Sequence, residues 1–237
     1  MEKTQKVRPL ASVAATKQVR SERTLMRLLD AAEELLQETG LGGLSIPEIV
    51  RRADSSVGGF YGRFRDKNEL LRALEERHYQ DLEARVDGLV DSRRWTGAPA
   101  AAIVQAAIHE LVTVVRQRKA ILRAFLWRAT QDPDVREGFV AFQQGANVRF
   151  RELLLSECPE EFAHPDPELA IDFAVQAAFA FMQQQIVVGE TRSGLRILSD
   201  DDLGQELTRM VCAYLGIKQL PTGTKIVPVG KQCIGGI

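Results

Sequence analysis

The chain has 237 residues, 45% of them hydrophobic and 27% charged, with a net charge of −1, which is apolar content enough for a full core and excludes wholesale disorder. No apolar run reaches the roughly 18–20 residues that a membrane span needs, and residues 1–20 lack the uninterrupted apolar stretch of a secretion signal. Three dispersed cysteines, Cys158, Cys212 and Cys233, form no CxxC pair, so the expectation is a cytoplasmic chain without a disulfide framework, and sparse aromatics beside abundant Ala, Leu, Arg and Glu favour helices over strands.

In chain order, residues 1–20 carry Lys3, Lys6, Arg8, Lys17 and Arg20 against Glu2 alone, and read as a flexible basic arm. The first helix is expected over 22–38, where Leu25, Leu28, Leu29, Ala32, Leu35 and Leu36 recur at helical spacing along one stripe. Gly40 stops it. Ser45-Ile46-Pro47-Glu48 spells a capping box with Pro in the first turn, and Ile46, Ile49, Val50 and Ala53 share one side of the short second helix. A turn at 54–56 follows, with Ser56 placed to cap a third helix whose Val57, Phe60, Tyr61 and Phe64 lie at steps of three, four and seven. Gly58, Gly59 and Gly62 sit between them. Each glycine costs a helix about 0.8–1.0 kcal/mol relative to alanine, and the physical return is close approach of the backbone to base edges and phosphates. Asp66 to Glu69 then starts a fourth helix, with Leu70, Leu71, Leu74, Leu82 and Val86 on its buried side. Through Lys67 there are twelve cations against nine acids, so this front end carries +3 and the remainder −4. A basic front on an acidic body fits one face meeting phosphate.

Read as A-x-x-S-x-G-x-F-Y-x-x-F-x-x-K-x-x-L-L, Ala53 through Leu71 resembles the DNA-binding signature of the tetracycline-repressor (TetR) family of bacterial regulators. The preceding helix, the Gly40 stop and the Ser45 start match in order and spacing, so the resemblance covers roughly 21–71. It implies an all-α fold: an N-terminal three-helix helix-turn-helix domain over 21–67, then a larger helical ligand-binding and dimerisation domain over 68–216, with a tail over 217–237. By position, Tyr61 is expected on a phosphate through its hydroxyl, Lys67 on backbone at the next helix start, and Ser45 on a phosphate at its helix N-terminus. Base reading falls to Ser56, Val57, Gly59 and Phe60, with Val57 or Phe60 against a thymine methyl; core packing is the competing reading of Phe60. Arg63 is expected on phosphate. The pattern departs from the family where Asp54 and Ser55 replace a glycine and an aliphatic residue, which is expected to loosen the turn, and where Gly62 replaces a frequent histidine.

Beyond residue 68 only helical periodicity is found. Helices are expected from 68 to about 90, then over 100–118, 119–130, 133–157, 167–188 and 201–215, with a break at Trp95 to Pro99 and a loop over 158–167. Segment 100–115 is apolar on nearly every side, the mark of a helix in mid-domain. Ala170, Ala174, Ala177, Ala178, Ala180, Phe173, Phe181 and Ile186 on one of the last two helices, with Leu203, Leu207, Met210, Val211 and Tyr214 on the other, fit a four-helix bundle across a twofold axis; burial within one subunit is the rival reading. The resemblance makes this pair, 167–188 and 201–215, the homodimer interface, and two recognition helices spaced by one turn of duplex DNA (~34 Å) would read a palindrome. Polar or aromatic residues interrupt apolar faces at His109, Arg123, Trp127, Gln143, Asn147, Gln176, Met182 and Gln183, the expected lining of a pocket for a small-molecule effector.

Nothing points to catalysis, a cofactor or a metal. His78, His109 and His164 have neither HExxH spacing nor neighbouring cysteine ligands, and there is no GxGxxG, P-loop or GxSxG sequence. The expected function is a ligand-responsive repressor acting on double-stranded DNA as a homodimer. One alternative stays open: a helical protein-interaction module that has lost DNA binding.

Overall fold

Why the front end folds as it does is visible in its caps. In the computed structural model, which describes residues 11–189 and 196–218, Ser45 Oγ accepts from the Glu48 amide (3.4 Å) and Ser56 Oγ from the Gly59 amide (2.9 Å). Asp66 Oδ1 accepts from the Glu69 amide (2.9 Å). Each side chain satisfies an amide that a helix start leaves open. The elements they begin are α2 (Ile46–Arg52), α3 (Val57–Tyr61) and α4 (Lys67–Val90). Ahead of them, α1 (Ala11–Gly43) is interrupted at Gly40, whose φ of 66° breaks the helical path where the stop was expected. Helix begins at Ala11, so residues 11–20, expected as part of a free arm, continue α1 instead. No glycine or proline interrupts this Ala-, Lys- and Arg-containing stretch, and its propensity carries the helix upstream. The expected arm cation Arg8 lies outside the described residues.

The chain divides into two compact units, Met1–Arg77 and His78–Ile237. In the first, Leu28, Leu29, Ala32, Leu35 and Leu36 of α1 meet Ile49, Val50 and Ala53 of α2, Phe60 of α3, Phe64, and Leu70, Leu71 and Leu74 of α4, all buried. α3 is shorter than the aromatic spacing predicts. It ends at Tyr61 with Gly62 as its cap, and Phe64 reaches the same core from the following turn, where its amide still donates to Phe60 O (2.9 Å).

The turn between α2 and α3 is not loosened. The Ser55 amide donates to Val50 O (2.9 Å) and the Asp54 amide to Arg51 O (3.3 Å), the paired bonds of a Schellman termination. The cost falls on the backbone, because Asp54 takes φ 45° in the left-handed region that glycine favours. α9 (Asp200–Leu215) ends in the same motif with glycine in place: Ile217 donates to Cys212 O (2.9 Å), Gly216 to Ala213 O (3.2 Å), and Gly216 has φ 69°. A Cβ on Gly216 would also stand 2.6 Å from Ala163 Cβ. The pair makes a matched test by urea denaturation. Asp54→Gly should raise the unfolding midpoint, whereas Gly216→Ala should cost about 2 kcal/mol or more, combining left-handed strain with overpacking.

In the second unit, the remainder of α4 is joined by α5 (Ala100–Gln117), α6 (Lys119–Gln131), α7 (Pro133–Glu157), α8 (Pro167–Val187) and α9, and no strand occurs among the described residues. Every boundary falls within a residue or so of its sequence expectation. Asp132, Asp166 and Ser199 supply the caps of α7, α8 and α9. α5 is the central helix: Ala100 to Val104, Ile108, Val112, Val114 and Val115 are all buried, and it packs along α9. The break after α4 holds a 3-10 turn (Ser92–Arg94) and the buried Trp95, whose indole N–H donates to Leu89 O (2.6 Å). Ile217, expected at the start of the tail, is buried in this core; residues 219–237, including Cys233, lie outside the described residues.

Candidate nucleic-acid interface and ligand cavity

α3 has one face in the core and one in solvent. Phe60 is fully buried, its ring 5.5 Å from Phe64 and 5.3 Å edge-on to Tyr61. That placement corrects the expectation that Phe60 contacts a base: it is the keel of the helix, because a five-residue helix needs an inward anchor. Val57 is 51% and Tyr61 55% exposed, Ser56 and Gly58 are exposed, and Gly59 is half-buried. Gly58 stands in open space, with Ser56 Oγ at 3.9 Å as the nearest atom to an added Cβ. Nothing inside the unit requires a glycine there. Ser45 is likewise exposed at the start of α2.

The cations around this face are more committed than sequence indicates. Arg63 donates to Ser21 O (3.1 and 3.3 Å) and to Gly59 O (2.8 Å), tying the end of α3 to α1. Its expected phosphate contact gives way to this structural use, since most of its donors are spent. Lys67 Nζ donates to Leu44 O (3.0 Å); an ammonium has three N–H donors, so two remain for a phosphate. Arg51 pairs with Glu48, and Arg52 with Glu38 (2.7 Å). The hydrogen bond from Arg51 holds the Glu48 carboxyl below its ordinary range, as that from Arg52 does for Glu38.

Within the second unit, residues of α4 to α9 line a cavity of about 180 Å³ that is partly open to solvent. Of the residues expected to line it, Gln143, Gln183 and Met182 do. His109, Trp127 and Gln176 are exposed outside it, Asn147 lies elsewhere on α7, and Arg123 donates to Ile186 O (2.9 Å) rather than facing the space. These residues sit one helical step away from the lining, on faces that sequence alone cannot orient. Sequence reasoning missed the aromatic wall, Tyr79, Phe125, Phe139, Phe142, Phe150 and Phe179. Each reads as ordinary core, so only their convergence marks them.

At the cavity's polar end Arg85 bridges Asp81 (3.0 Å) and Glu110 (2.9 Å), and Arg118 reaches Asp81 (2.8 Å). Burial works against the Asp81 carboxylate, but the Arg85 hydrogen bond and the Arg118 charge outweigh it and hold its pKa below the ordinary value. Arg118 also lies 3.0 Å from His78 Nδ1. The two cysteines described are unsuited to thiol chemistry: burial pushes Cys158 and Cys212 up to about 11. Among the described residues, no cluster of three His, Cys, Asp or Glu side chains is placed to hold a metal, and no helix is long and apolar enough to cross a membrane.

The expected bundle helices divide their apolar residues. Ala170, Ala174, Ala178 and Ile186 of α8, with Leu203, Leu207 and Val211 of α9, are buried within this chain. Leu169 and Phe173 of α8, and Met210 and Tyr214 of α9, are left exposed, and the Phe173 and Tyr214 rings lie 5.5 Å apart on one shared face.

Residues 28–74 match the family model described as "Bacterial regulatory proteins, tetR family". The chain is 32% identical over 100 residues to the uncharacterised HTH-type transcriptional regulator YvdT of Bacillus subtilis, and 33% identical over 69 residues to the HTH-type transcriptional repressor NemR of Escherichia coli. Those matches cover 40% and 29% of this chain and 47% and 35% of the relatives, so it spans less than half the length of either. Among solved structures, a TetR-family protein of Mesorhizobium loti matches with TM-score 0.67 and 18% identity, over 83% of this chain and 97% of that one. A tetR-family regulatory protein of Rhodococcus RHA1 matches with TM-score 0.62 and 16% identity, over 83% and 98%. These likenesses carry the fold.

Proposed function

We propose, from the premise that the chain belongs to the tetR family of bacterial regulatory proteins, that it is a DNA-binding transcriptional repressor. It binds a palindromic operator as a homodimer and is released by a small molecule. The observation that carries this reading is the division of α3: Phe60 locks the helix to its domain, while Val57, Gly58 and Tyr61 stand clear of it. Val57 offers a methyl-bearing surface to bases, Gly58 admits a close backbone, and Tyr61 and the remaining Lys67 donors address phosphates. Ser45 and Ser56 sit at helix starts whose amides complete the phosphate contacts. The exposed face built on Phe173 and Tyr214 pairs two chains, giving two recognition helices for two half-sites. The cavity holds the effector. An effector that binds one conformation of the second unit more tightly shifts the population away from the DNA-competent state.

The test is affinity for DNA flanking the chain's own gene, measured by fluorescence anisotropy across a salt series. A linear fall of log K with log salt is expected. Tyr61→Ala should weaken binding roughly tenfold on every sequence, whereas Val57→Ala should change sequence preference. No salt slope and no preference would instead identify a protein-interaction module on the same fold.

A further inference from the structure

Resting on the reading of the cavity as an effector site, we propose that its ligand is an apolar, uncharged molecule the size of one or two fused rings. Packing alone holds it, with no hydrogen bond or ion pair from the protein. Polarity is decided by the lining. Among its residues only His78, Tyr79, Arg85, Glu110, Gln143 and Gln183 carry polar side-chain atoms, yet the surface turned to the space is almost wholly apolar. Those side chains therefore meet it chiefly with carbon. Arg85 and Glu110 are bonded to each other (2.9 Å), and Arg85 also holds Asp81 (3.0 Å). His78 and Tyr79 join the aromatic wall: His78 lies edge-on to Phe125 with 5.4 Å between ring centres, and Tyr79 against Phe142 at 5.7 Å. A hydroxyl carried inside would exchange water for carbon, and a carboxylate would do so at far greater cost.

Size and shape follow from the space itself. At about 180 Å³ it is slightly larger than an apolar cavity of roughly 150 Å³ that binds benzene. Filling it at the density of a protein interior takes roughly 135 Å³ of ligand, on the order of ten heavy atoms, which is the size of naphthalene. The protein has ten phenylalanines, and five of them line this space. Ring faces and edges on several sides suit a flat guest in offset or edge-on contact.

The opening to solvent governs the choice of probes. A guest with one polar group can keep it in water at the opening, whereas groups at opposite ends force one of them inward. The experiment is therefore equilibrium dialysis of the full chain at pH 7 against naphthalene, 2,6-naphthalenediol and 2,6-naphthalenedicarboxylate. One naphthalene should bind per chain, at least roughly tenfold tighter than the diol, the penalty of one buried hydroxyl without a partner. The dicarboxylate should bind at least roughly a hundredfold weaker than naphthalene. Gln143→Leu/Gln183→Leu should leave the affinities for naphthalene and the diol within about threefold of the parent chain, because no amide bond is lost. Ala178→Phe fills the space and should abolish naphthalene binding, with Ala146→Leu in its place if that chain does not fold.

No binding of naphthalene, or binding that survives filling the space, would overturn the proposal. So would a diol or dicarboxylate that binds as tightly as naphthalene, or a diol affinity that falls tenfold when both amides are removed. DNA affinity measured on the same samples separates the two readings. Naphthalene binding with unchanged DNA affinity upholds the ligand class and overturns its role as effector. A chain that binds no DNA overturns the regulator, while dialysis still decides the ligand.

Discussion

Phe60→Ala should remove about 3–5 kcal/mol of stability, the range for truncating a fully buried aromatic ring. The ring is fully buried between Phe64 and Tyr61, and α3 has few other means of holding its place. It is five residues long and includes Gly58 and Gly59, which contribute no side-chain packing. Domains of this size have only about 5–15 kcal/mol in total, so the variant should populate an unfolded front end near ambient temperature. Urea denaturation followed by helical circular dichroism reads the loss, and amide exchange locates it in residues 28–74. The neighbouring Tyr61→Ala is the control: it forfeits one exposed ring and an edge contact worth about 0.5–1.5 kcal/mol, yet loses DNA affinity. A stable Phe60→Ala chain with altered sequence preference would return Phe60 to the base-reading role that the sequence admits.

The second large effect is expected at the opposite end of the chain. Phe173→Asp with Tyr214→Asp should convert a dimer to a monomer, weakening association by roughly a hundredfold or more, as loss of paired aromatic anchors does. The two rings touch, so the double change is less than the sum of the single ones. Both side chains are exposed, 56% for Phe173 and 40% for Tyr214, and the substitution leaves the fold of the subunit intact, which circular dichroism checks. Sedimentation equilibrium measures the association. Operator affinity should fall with it, because a single five-residue recognition helix reads too few base pairs to hold a site. A double variant that remains dimeric would place the interface elsewhere.

Both predictions turn on something sequence reading reached only halfway. The caps Ser45, Ser56 and Asp66, the Gly40 stop, and the limits of the helices after residue 68 were legible because each signal acts through neighbours a few residues away. A hydroxyl three positions before an amide, or a proline in a first turn, needs no distant partner. The start of α1 was misread for the complementary reason: a stretch of good helix formers carries no local mark that separates an arm from a continued helix.

What remained hidden was the allocation of faces. Successive helix positions are about 100° apart, so Phe60 and Tyr61, or Phe173 and Ala174, point to different sides although adjacent in sequence, and packing sends one to the interior and its neighbour to water. Periodicity supplies the stripe but not its edges, and the edges depend on where helices remote in sequence come to rest. The same holds for the cavity. Its aromatic wall collects rings from α4, α6, α7 and α8, each an unremarkable core residue in its own helix. Composition and local chemistry were enough to establish an all-helical protein with a capped, glycine-rich third helix. Packing between distant helices alone decided which of those residues meet solvent, which meet one another, and which line the cavity.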